Sequence, residues 1–100
     1  MENVKIVPIE VNGASAEGVS VNIPGTELEI LQVRCTRGIL FCGIFNAEVL
    51  EKLNFPAALF SAPHFEDMLE RKPVFLTEAA KAIGATAEMS GAELLVLFSE

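Results

Sequence analysis

The chain has 100 residues, room for one domain, with 51% apolar side chains and 14 acidic against 7 basic residues, a formal charge of −7. Its Lys and Arg are scattered and it has no Tyr or Trp, so it is a poor match for nucleic acid, which is bound through clustered cations and stacked rings. No apolar run approaches the ~18 residues of a membrane span, and "MENVKIVPIEVNG" lacks the basic, then apolar, pattern of a secretory leader; a cytoplasmic location is expected.

A single domain of this size buries only about two-thirds of its unfolded surface. The apolar excess therefore predicts a homo-oligomer. Strands come first. "VKIVPIEV" (4–11) carries apolar residues on both faces, and Pro8, which has no N–H, marks an edge strand or a bulge. "NGASA" is a turn cluster. In "EGVSVNI" (17–23), Val19, Val21 and Ile23 alternate with Ser20 and Asn22, the pattern of a strand with one wet face. Pro24-Gly25 suits the centre of a type II turn. "ELEILQVRC" (27–35) and "GILFCG" (38–43) form a hairpin around Thr36-Arg37-Gly38. That hairpin sets Cys42 near Gln32, so Cys35 and Cys42 lie roughly 10 Å or more apart at ~3.3 Å per residue, beyond disulfide reach. Both thiols are expected to be reduced.

Helices with short extended links follow. Asn46 is a good N-cap for "AEVLEKL", whose apolar stripe is Val49, Leu50 and Leu53. "AALFSA" (57–62) reads as a short buried strand. Pro63 suits the first position of the helix "PHFEDMLER", with Phe65, Met68 and Leu69 on one face. Pro73 opens "VFLTEAAKAI", which Gly84 stops. Ser90 and Glu93 have capping-box spacing ahead of "LLVLF", which predicts a C-terminal helix, with a strand as the alternative. The expected fold is α+β: an N-terminal, mainly antiparallel sheet followed by short helices packed on one face. The chain is one domain, residues 1–100, with a β-rich oligomerisation region (1–36) and a mixed α/β part (37–100). The opening hairpin, two-faced and distant in sequence from the helices, is the expected subunit interface.

Two stretches, "RGILFCGIFN" (37–46) and "LTEAAKAIGATAEMSGAELL" (76–95), give the chain a resemblance to the YunC-like family of small bacterial and archaeal proteins of unknown function. The first is similar to that family's basic-or-His, Gly, aromatic, apolar pair, Cys-Gly pattern, the second to its helix, link, Met-Ser-Gly and amphipathic tail. Ile39 departs from the family's aromatic, and Pro63-His64 stand where the family has a basic residue and a threonine. The resemblance implies a tetramer assembled through the N-terminal β region. It implies no activity.

Cys42, where a strand hands over to a helix, is the sharpest candidate site. A helix N-terminus can lower a thiol's pKa, yet a nucleophile needs a base, and nothing in the sequence places the sole histidine, His64, beside it. A buried structural cysteine is the favoured reading. Cys35, Cys42 and His64 lack the spacing of a zinc site, the acidic helix surface of Glu66, Asp67 and Glu70 reads as a solvated face, and no glycine run has phosphate-loop spacing. No metal or cofactor is expected. A small-molecule pocket would involve Cys42, Gly43 and Asn46, with Ser90 and Gly91 as a further anion-holding helix start. The expected function is a cytoplasmic, homo-oligomeric binding or structural module that meets neither nucleic acid nor membrane. The alternative is a thiol-dependent enzyme or redox protein using Cys42.

Overall fold

Alternation of side chains and short turns brings each of the first four strands against the one before it. The computed structural model describes residues 4–42 and 46–100, and among these a sheet of β1 (Val4–Val11), β2 (Ala14–Asn22), β3 (Glu29–Arg34), β4 (Ile39–Cys42), β5 (Ala57–Phe60) and β6 (Phe75–Leu76) runs in that spatial order. All neighbours are antiparallel except β4 and β5, which are parallel and connected through α1 (Ala47–Lys52). Helices α2 (Phe65–Glu70), α3 (Glu78–Ala82) and α4 (Gly91–Phe98) complete an α+β domain. The C-terminal segment is helical, as the capping box requires.

The first hairpin turns on Asn12-Gly13 (φ 49° and 85°) between paired Val11 and Ala14, the two-residue turn whose backbone twist matches that of the strands. It lets β2 begin at Ala14, three residues before the alternating pattern becomes visible. Pro24-Gly25 turns as expected, with Thr26 N–H donating to the Ile23 carbonyl at 3.1 Å. The edge position of β1 accommodates Pro8.

The two faces of the sheet bury different sets. One face supplies Leu31, Val33, Leu40, Cys42, Ala58, Phe60 and Leu76, packed with Met68, Ala80, Leu94, Leu95 and Phe98 from the helices. On the other face, Phe41, Ala57 and Leu59 pack with Leu50 of α1, flanked by Ile39, Ala47, Phe55 and Phe75. Strands β4 to β6 are thus covered on both sides, with α1 on the face opposite the other helices.

Strand β2 reverses its expected facing. Ser20 is buried and pairs with Leu31, whereas Val19 and Val21 are half-buried on the other face. The bulky Leu31 and Val33 of β3 fix the register, and small residues opposite them leave room for α2. A Cβ on Gly18 would lie 2.7 Å from Ile9 Cδ1 and 3.1 Å from Phe65 Cζ. The Ser20 hydroxyl is satisfied by donating to Glu29 Oε1 at 2.8 Å.

Three helix expectations need correction. Pro73 does not open a helix: Val74 N–H bonds the Leu59 carbonyl at 2.7 Å, and Phe75 and Leu76 form β6, each serving a different face. Helix α3 starts later, capped by the fully buried Thr77, whose Oγ1 accepts from Ala80 N at 3.2 Å and Ala57 N at 3.0 Å. Pro63 precedes the N-cap of α2, His64, rather than occupying its first turn. In α1, only Leu50 of the expected stripe is buried; Val49 and Leu53 are 53% and 60% exposed, because six residues present too short a face to bury three.

Candidate functional site

The described β3–β4 register runs from Arg34↔Ile39 to Gln32↔Phe41, and Cys42, the next residue of β4, turns its thiol onto the β3 backbone. Leu31 N–H donates to Cys42 Sγ at 3.4 Å, and Sγ lies 3.9 Å from the Glu29 carbonyl. Cys42 is 4% exposed. Sulfur here is a weak hydrogen-bond acceptor held against the β3 backbone. Gly43 lies outside the described residues.

Beside this thiol is an open groove of about 760 Å3, within the range typical of ligand sites. Cys42 contributes to its floor, Ile23, Leu28 and Val74 give apolar walls, and Glu27, Glu29, His64 and Arg71 bring charge or polarity. The groove lies at the carboxyl ends of the parallel pair: Cys42 ends β4, and Ser61 to His64 follow β5. Ligands of open sheets that contain parallel strands favour this location. Arg71, just past α2, is held there by an Nη1 donor bond to the Ser61 carbonyl. His64 caps α2 through its backbone alone, as its ring makes no capping bond.

Fold therefore brings His64 and Cys42 to one groove, which sequence reasoning did not foresee, and adds Arg71, which it missed. The available signal was "SAPH" directly after a short buried strand. The other expected site residues are engaged elsewhere. Asn46 Oδ1 accepts from Glu48 N (2.8 Å) and Val49 N (3.4 Å). Ser90 and Glu93 complete their capping box. Gly91 donates to the Arg71 carbonyl at 2.9 Å, and a Cβ there would lie 2.0 Å from the Met68 carbonyl oxygen. Its job is the close approach of α4 to α2. None of these three is among the residues lining the groove.

The fold has a solved counterpart. The crystal structure of TA1206 from Thermoplasma acidophilum, a protein of unknown function, superposes with a TM-score of 0.84 at 20% identity, covering 95% of this chain and 92% of that one. At that identity the likeness establishes the shared architecture. No family model matches the chain, and no curated protein does.

Cys35 and Cys42 are both free thiols. Burial pushes the Cys35 thiol up to about 11, and the Ser99 hydroxyl pulls weakly the other way; Ser99 Oγ makes no hydrogen bond of proper geometry. A thiol so placed is a poor nucleophile near neutral pH. Among the described residues, no three His, Cys, Asp or Glu side chains are grouped to hold a metal ion, and no helix is long and apolar enough to cross a membrane.

Proposed function

We propose that this chain is a non-enzymatic, cytoplasmic binding module of the YunC-like type. It works as a homo-oligomer, a tetramer, assembled through its N-terminal strands, and takes a small molecule in the groove beside Cys42. The observation that carries the reading is the far face of β1 to β3, where no helix packs among the described residues. Two cross-strand rows, Val4–Val21–Ile30 and Ile6–Val19–Gln32, run across that face. Ile6 is 65% exposed, and burying a side chain of this kind is worth about 1.5–3 kcal/mol. On the same side, α1 leaves Val49 and Leu53 in water. An apolar surface next to a free sheet edge favours a second copy. Net charge and scattered cations weigh against nucleic acid.

Light scattering at micromolar concentration tests the reading: a multiple of the 10.8 kDa chain mass is expected, and Ile6→Lys should shift it toward the monomer. A monomeric wild-type protein refutes it.

The enzyme reading has one observation in its favour, the shared groove of Cys42 and His64. Iodoacetamide labelling of the native protein separates the two readings. Cys42 protected until denaturation supports a structural thiol, and rapid labelling below pH 8 supports a nucleophile.

A further inference from the structure

We propose that the groove beside Cys42 takes an apolar zwitterion of dipeptide size, its carboxylate on Arg71 and its ammonium group toward Glu27. This deepens the binding reading above and rests on it. Opposite charges line one groove, yet among the described residues the ion pairs are Lys72–Glu88 and Lys81–Glu78, neither of which involves a groove residue. Arg71 and the two glutamates face a common space without neutralising each other. A ligand with both charges would do so.

Each charge of such a ligand has a counterpart in the lining. The Ser61 carbonyl occupies one of the guanidinium's five donor N–H groups and fixes its position. The remaining donors suit the planar, two-pronged recognition of a carboxylate, and His64 belongs to the same lining. Of the two acids in the lining, Glu29 is held through one oxygen by Ser20, while Glu27 is exposed beside Leu28. The apolar part of the lining includes Leu28 and Val74, 64% and 66% exposed. Such side chains have a reason to meet an apolar body. A singly charged anion would leave Glu27 and Glu29 opposed to it, and a cation would meet Arg71.

Titration of leucyl-leucine into 15N-labelled protein, beside its N-acetyl and C-amide forms, tests the assignment. Free leucyl-leucine should shift the amide resonances of Leu28, Glu29 and His64, and each capped form should bind about tenfold more weakly, the loss expected for one charged hydrogen-bonded contact. Arg71→Gln should weaken the free dipeptide by a similar factor and leave the amide form unchanged. Glu27→Gln, an exposed position where folding is not at stake, should likewise weaken the free dipeptide and leave the N-acetyl form unchanged. Lys72→Gln, outside the groove, should change neither. Capped forms that bind as tightly as the free one overturn the zwitterion and keep the groove as a binding site. An unresponsive groove with all three compounds overturns both, and an equal loss with Lys72→Gln reduces the effect to general charge.

Discussion

Strands β4 to β6 and strands β1 to β3 belong to one sheet but have unequal protection. The former lie between α1 on one side and the remaining helices on the other, and Ala57, Ala58, Leu59 and Phe60 of β5 are all buried. The latter are covered on one face, and β1 is mostly exposed along its first five residues. The β4–β6 half supplies core from both of its faces, whereas the β1–β3 half supplies Leu31 and Val33 from one. The β1–β3 half also leaves apolar side chains such as Ile6, 65% exposed, in contact with water.

The sharpest way to break this comparison is at Phe60, fully buried at the centre of the covered half. Phe60→Ala should cost about 3–5 kcal/mol in urea denaturation; a cost under 1 kcal/mol would mean that the core lies elsewhere. Thr77→Val keeps the shape of the side chain and removes the hydroxyl that joins α3, β5 and the Phe55 carbonyl. A loss of about 1–3 kcal/mol is expected from the unsatisfied donors, read from the same transitions. At Ile6, by contrast, substitution by Lys should leave the stability of the dissociated chain within about 0.5 kcal/mol of wild type, measured where both are monomeric. A large loss there would show that β1 is part of the core after all.

The smallest effect concerns pH. The folded pKa of Cys35, about 11, lies above its ordinary value of 9.0, so the neutral thiol is favoured in the native state. That contribution is complete below pH 9 and is lost as pH rises toward 11, since the unfolded chain gives up its proton first. Cys35→Ala should flatten the decline in stability over that window, followed by denaturation at stepped pH. An unchanged slope would show that the thiol is not the group responsible.

Much of the fold was legible because local chemistry and tertiary packing agree. Asn12-Gly13, Asn46 and the Ser90–Glu93 pair each do locally what their residue types favour. Where they disagreed, packing prevailed. The alternation of Val19 and Val21 with Ser20 gives a correct strand and the wrong inward face, because nothing in β2 itself reports that Leu31 and Val33 lie opposite. Pro73 looks like a helix start until Phe75 and Leu76 find places on the two faces of a sheet. The groove was harder still. Glu27, Cys42, His64 and Arg71 are separated along the chain and converge only through the parallel step between β4 and β5.

That strand order in space repeats strand order in the chain has a consequence for assembly. A nascent chain can add each strand to the outer side of those already made, without inserting one between two others. The earliest strand, β1, is never enclosed by a later neighbour. Among the described residues no strand pairs with its outer edge, so the backbone N–H and C=O groups there are left to water from synthesis onward.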